Sequence, residues 1–291
     1  MLQQYTHIKF GASTQAIIDR ANEIVRTYLD LGYRLTLRQL YYQFVARDWL
    51  PNEQRQYKRL GRIISDARLA GMIDWESIED RGRSYVDLPT WSQPSDIIQA
   101  AAKQYRIDLW RDQSSRVEVW IEKEALVGII APTCQELRVP YFACKGYVSA
   151  SAMWEAGAVR MRAHLDNNQR PIVLHLGDHD PSGIDMTRDI RERLALFAEA
   201  DICVERLALT MPQIERYRPP PNPAKPADSR YLDYVGEYGD ECWELDALEP
   251  SVLTTLIRDA VAFIRDDKTW RSSKRREDRD RRRLRKLADD G

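Results

Sequence analysis

From Thr14 to Leu31, apolar side chains recur at Ile17, Ile18, Ala21, Ile24, Val25, Tyr28 and Leu29. This three- and four-residue spacing predicts an amphipathic helix, with Ser13 or Thr14 as its cap and Gly32 as its stop. A second helix is expected after Thr36, over LRQLYYQFVARDW, and a third from Glu53 to Leu69, ending near Gly71. Met72 to Arg83 reads as a short strand and turn. Three helices followed by a β element is the order of a winged helix-turn-helix. Further on the period changes. Short apolar runs at Val117–Ile121, Pro140–Cys144, Ile172–Leu176 and Cys203–Leu207 predict strands. They alternate with helical patterns over Ala125–Leu137, Ala150–Leu165 and Thr187–Ala198, and a further helix is expected over Val252–Phe263. That alternation predicts a parallel sheet flanked by helices on both faces. The expected fold class is therefore α/β, preceded by an α+β winged-helix domain.

Leu88–Pro94 holds two prolines and no periodicity, which marks a boundary. The expected division is a winged-helix domain over 1–88, a linker over 89–115, a sheet domain over 116–265 and a basic tail over 266–291. The tail, dense in arginine from Arg271 to Lys286, reads as a charged helix or a mobile arm. Arg218–Pro226 is too rich in proline for helix or central strand and is expected to be an ordered loop. With 43% hydrophobic residues the chain has enough apolar material for a core. Cys134, Cys144, Cys203 and Cys242 have no metal-binding spacing and fit reduced thiols. Met1–His7 lacks the pattern of a signal peptide, and no apolar run approaches the ~20 residues that span a bilayer. A soluble cytoplasmic protein with no membrane partner is expected.

The formal net charge is only -1, so local charge is the more informative quantity. The third helix carries Arg55, Lys58, Arg59, Arg62 and Arg68 beside Tyr57. Such a face suits DNA phosphates, and a merely solvated face is the plain alternative. Asp178 and Asp180 stand at the carboxyl end of the strand Ile172–Leu176, where reactive groups of parallel sheets collect. Alternate residues of extended chain point the same way, so the two carboxylates repel unless a cation joins them. Hard oxygen ligands of this kind suit Mg²⁺. Pro181 and Gly183 turn the chain into the next helix. An Asp-x-Asp pair alone also fits a helix cap or turn. Glu122, at the end of the strand Val117–Ile121, supplies a third carboxylate on the same sheet edge.

Trp120-Ile-Glu122-Lys-Glu, Cys144-Lys-Gly146-Tyr-Val and Gly177-Asp178-His-Asp180-Pro-Ser-Gly183-Ile resemble the motifs of a Toprim domain. The Asp-x-Asp-Pro-x-Gly version is similar to that of the topoisomerase VI A subunit and its meiotic double-strand-break relatives, most of all in the compact, stand-alone form found in phages and mobile elements. The resemblance implies that Glu122, Asp178 and Asp180 bind Mg²⁺, or Mn²⁺ as its substitute, beside a scissile phosphate of double-stranded DNA. Arg38-Gln-Leu-Tyr41-Tyr42-Gln matches the family's Arg-x-x-x-Tyr motif. It implies Tyr42 as nucleophile, Arg38 as its electrostatic helper, a 5′-phosphotyrosyl intermediate and a homodimer in which one subunit's tyrosine meets the other's metal. Tyr41 is expected in the core. The chain is shorter than typical A subunits and has no ATP-binding signature, so strand passage would need a separate ATPase B-type subunit. Two other readings stay open: a hydrolytic Toprim nuclease in which water attacks and Tyr42 is structural, and a non-catalytic DNA-binding protein. His175 is expected to be buried, and His179 to point away from the carboxylates. Glu244 and Asp246 are expected at a strand end or cap, with a second metal position as the minority role. Lys145-Gly146-Tyr147 is a place where backbone could approach phosphate.

Overall fold

In the N-terminal third the amphipathic pattern folds as its period dictates. The structure is a computed structural model and describes residues 2–79 and 88–289. Helices α1 (Ala12–Asp30), α2 (Leu37–Ala46) and α3 (Gln54–Leu69) pack around Ile18, Ile24, Leu35, Leu40, Phe44 and Leu60. Helix α1 starts before the expected cap: Gly11 is the N-cap, and its carbonyl accepts from the Thr14 and Gln15 amides. Thr36 caps α2 reciprocally with Gln39, as the sequence predicts.

The wing is a different matter. After Gly71, the chain makes only single bridges, Gln4 with Ala70 and Leu35 with Ile78. Among the described residues there is no two-stranded wing on this unit, and residues 80–83 of the expected turn lie outside them. The segment expected as a linker contains α4 (Pro94–Gln104), with Pro94 in its first turn and Ala102 buried.

Strands β1 (Ser115–Ile121), β2 (Tyr141–Ala143), β3 (Arg170–Leu176) and β4 (Cys203–Ala208) form one parallel sheet in the order β2-β1-β3-β4. Alternation along β1 and β3 divides the core. Val117, Val119, Ile121, Leu174 and Leu176 face the layer that contains α5 (Val127–Glu136) and, later in the chain, Leu253, Ile257 and Val261. Trp120 and Val173 face the opposite layer. There the chain runs through α6 (Ala150–Trp154), a π-helical stretch (Glu155–Met161) and α7 (Arg162–Asp166), and later through α8 (Pro181–Ala198). Burial of both faces explains why these strands read as near-continuous apolar runs.

Helix α9 (Met211–Tyr217) follows β4. The proline-rich loop contributes β5 (Asn222–Pro223), α10 (Tyr231–Tyr238) follows, and β5 pairs antiparallel with β6 (Glu241–Cys242). The chain closes with α11 (Pro250–Ile264) and α12 (Asp267–Asp289). Of the two tail readings, the structure takes the charged helix. Helix α12 packs along α4 and buries Glu277 against Arg138, Lys274 and Arg281, at 3.0, 3.1 and 2.7 Å.

Candidate active site

The adjacency of β1 and β3 builds the first part of the site. Ile121 lies opposite Leu176, so the residues that follow each strand leave the sheet together. The Asp178 amide donates to Glu122 Oε2 at 2.9 Å. Asp178 Oδ1 accepts from the Leu245 amide at 2.7 Å, and its Oδ2 lies 2.9 Å from Lys123 Nζ. Asp180 is the N-cap of α8: its Oδ1 accepts from the Gly183 amide at 2.6 Å and from Ser182 Oγ at 3.0 Å. Gly183 is required by close approach, because a Cβ there would fall 2.1 Å from the Asp178 carbonyl oxygen. Beneath the turn, Arg206 of β4 donates to the carbonyls of Gly177, Asp178 and Gly183, at 3.1, 2.5 and 2.9 Å. Its part-buried guanidinium holds the loop through these carbonyls.

The second part comes from the far end of the chain. Lys123 Nζ lies 2.9 Å from Asp178, from Glu244 Oε2 and from Asp246 Oδ1. Asp246 is buried and also accepts from Arg38 Nε at 2.8 Å, and Arg38 pairs with Glu244 as well. Arg38 Nη2 lies 3.4 Å from the Tyr42 hydroxyl, one helical turn along α2. A single chain of contacts thus runs from Tyr42 through Arg38, Asp246 and Lys123 to Asp178. Arg38 and Glu244 line two adjoining clefts, of about 580 and 240 Å³. The larger also holds Glu122, Lys123, Asp178 and Asp180, and the smaller holds Tyr42, Tyr57 and Asn222. Within the one chain, Tyr42 lies nearest to Arg38, Glu244 and Asp246.

Protonation follows from this crowding. Burial pushes the Asp178 carboxyl up to about 7, against the pull of Lys123. Burial also raises Glu122, opposed by the Asp178 amide and by Lys123. Burial opposes ionisation of Glu244, yet Lys123 and Arg38 bring it down to about 2. Burial pushes the Tyr42 phenol well above its ordinary value, Asp246 and Glu244 push the same way, and Arg38 opposes them. At rest Tyr42 is a protonated phenol with only 5% of its surface exposed.

Among the described residues no three Asp, Glu, His or Cys side chains converge on one point as a ligand set. Glu122 and Asp180 are turned to backbone amides, and Asp178 shares the Lys123 ammonium with Glu244 and Asp246. The donor set is all oxygen and suits a hard divalent ion.

The remaining expected residues separate cleanly. Arg55, Lys58, Arg59 and Arg62 are exposed along α3, opposite buried Leu60, Ile64 and Ala67. Arg68 is drawn away to the carbonyls of Trp75 and Ile78. Tyr41 is in the core and exchanges hydrogen bonds with the backbone of Pro51 and Glu53. His175 is buried against Thr187, and His179 against Tyr234, Tyr238 and Trp243. Lys145 and Gly146 both have left-handed backbone and line a third cleft, with Glu122 and Lys123.

Lys123, Arg206 and the pairing role of Glu244 and Asp246 escaped the sequence reading. The signals were present but weak: a lysine inside Glu-Lys-Glu, an arginine inside an apolar strand, and two acids one residue apart after Trp243. The sequence matches no model of a known protein family, and no curated protein matches it significantly.

Proposed function

We propose that this protein is a Mg²⁺-dependent DNA-cleaving enzyme of the topoisomerase VI A-like kind, with a winged-helix-like unit, a Toprim-like sheet and Tyr42 as its nucleophile. The observation that carries the reading is Arg38: it lies 3.4 Å from the Tyr42 hydroxyl and 2.8 Å from Asp246, which Lys123 joins in turn to Asp178 at the end of β3. Tyr42 Oη bonds to phosphorus as the bond from phosphorus to the 3′-oxygen breaks. The phenolic proton passes to solvent, and the departing 3′-oxygen takes one up. Arg38 stabilises the phenolate and the non-bridging oxygens. When bound at Glu122, Asp178 and Asp180, Mg²⁺ would supply positive charge to the phosphate oxygens. Lys123 keeps Asp178, Glu244 and Asp246 together, and Arg206 holds the turn that presents them. The exposed cations of α3 seat the duplex backbone, and a homodimer would cut both strands.

One observation favours a second reading, hydrolysis by water. Tyr42 is almost fully buried and its phenol is pushed up, both of which disfavour attack from the resting arrangement. Supercoiled plasmid incubated with the protein and Mg²⁺, resolved with and without protease, separates the two. Transesterification gives nicked or linear DNA that enters the gel normally only after protease, and Tyr42→Phe abolishes it. Cleavage that is indifferent to protease and survives Tyr42→Phe, but not Asp178→Ala, establishes hydrolysis instead.

A further inference from the structure

Helix α12 carries eleven Lys and Arg against five Asp and Glu. Their arrangement is not even. Arg271, Arg275, Arg279, Arg282, Arg283 and Lys286 recur at helical spacing on one side and are all exposed. The opposite side is anchored: Glu277 is fully buried, accepts from the Ile107 amide at 3.1 Å, and gathers Arg138, Lys274 and Arg281. Trp270 packs edge-on against Trp110, and Arg281 donates to the Tyr105 carbonyl. The cations are thus displayed on a fixed rod. Arg282 has no ion pair among the described residues, and the partner of Arg283 is distant at 3.9 Å.

We infer that this face of α12 binds the phosphate backbone of duplex DNA, at a surface separate from the strand-end cleft. From Arg271 to Lys286 the face extends about 22 Å, a length over which duplex DNA presents roughly a dozen phosphates. Charge complementarity selects a polyanion, and the straight, rigid row of guanidinium groups matches a regularly spaced one. The location makes it a second surface. Helix α12 is held by residues 105–113, which lead into β1, and by Arg138, which precedes β2. It therefore lies at the amino-terminal edge of the sheet, about 20 Å of strand away from Asp178. A segment held on α12 is not the one presented to Tyr42, unless the duplex bends around the molecule.

The test needs no cleavage. The full chain in EDTA is titrated onto a short fluorescein-labelled duplex at several salt concentrations, and anisotropy is read. Replacing Arg275, Arg279, Arg282 and Arg283 together by Gln should weaken binding at low salt about tenfold or more. It should also make the slope of log K against log salt shallower by roughly 3 to 4. The same four changed to Lys should restore most of the loss, which separates charge from misfolding. A quadruple Gln variant with the parent's affinity and slope overturns the inference. So does a parent whose α12-dependent binding is to anionic lipid vesicles and not to DNA. Cleavage by Tyr42 is not read here, so failure of this inference leaves the proposed activity standing, and loss of that activity leaves the α12 binding measurement intact.

Discussion

Two buried carboxylates, Asp178 and Glu277, sit at opposite edges of the same sheet and are treated in opposite ways. Glu277 receives three cations and a backbone amide. Burial works against its charge, but those donors hold the carboxyl below its ordinary range. Asp178 shares one lysine with Glu244 and Asp246 and has Glu122 against its amide. Its carboxyl is pushed up to about 7, by burial first, with Lys123 opposing. The first arrangement is over-neutralised and fastens α12 to the sheet. The second is short of positive charge in a cleft that opens to solvent, a state that costs stability and suits a site that takes up a cation.

The largest test of this contrast is at Glu277. Glu277→Ala leaves Arg138, Lys274 and Arg281 crowded without their anion and should destabilise by about 3 kcal/mol, read by urea unfolding. A loss within experimental error of zero would make the clasp ornamental. Gly183→Ala should rank next. Its Cβ would meet the Asp178 carbonyl at 2.1 Å, so the turn must shift, at a cost of about 1–3 kcal/mol, with loss of cleavage. Normal activity in that variant would show that the turn is not held as described.

Asp178→Asn should move the other way. The folded-state pKa of Asp178, about 7, lies above the ordinary aspartate value of about 3.9, so between these values the native state binds the extra proton. Stability from this group falls as pH rises through that window and is fully lost above it. The Asn variant should therefore melt later than the parent at pH near 8, by on the order of 1–2 kcal/mol, and show almost no gain at pH near 4. A gain of equal size at both ends would remove the ionisation argument. The smallest effect is expected from Mg²⁺. Millimolar Mg²⁺ should raise the melting temperature of the parent and of Glu277→Gln, but not of Asp178→Asn.

What the sequence revealed follows from the range of each interaction. The four strands were legible because burial of both faces imposes apolar runs, as in Ile172–Leu176. The meeting of Glu122 with Asp178 was legible because parallel neighbours end on one edge. Lys123 with Glu244 and Asp246 was not, since that contact depends on how a distant segment returns across the sheet, after a proline-rich loop with no periodicity. Arg206 was hidden for the same reason: its partners are backbone carbonyls, which leave no mark in composition. The expected linker contains α4 because α12 lies along it, a pairing neither segment announces alone.

Cleavage as proposed turns on Tyr42, and mass spectrometry of a trapped complex reaches it directly. Reactions with a duplex and Mg²⁺ would be stopped with denaturant, digested with nuclease and protease, and searched for peptides carrying nucleotide. A phosphodiester-linked nucleotide is expected on the peptide that contains Tyr42, absent from Tyr42→Phe and from Asp178→Asn. Cleaved DNA with free ends and an unmodified Tyr42 peptide would contradict it.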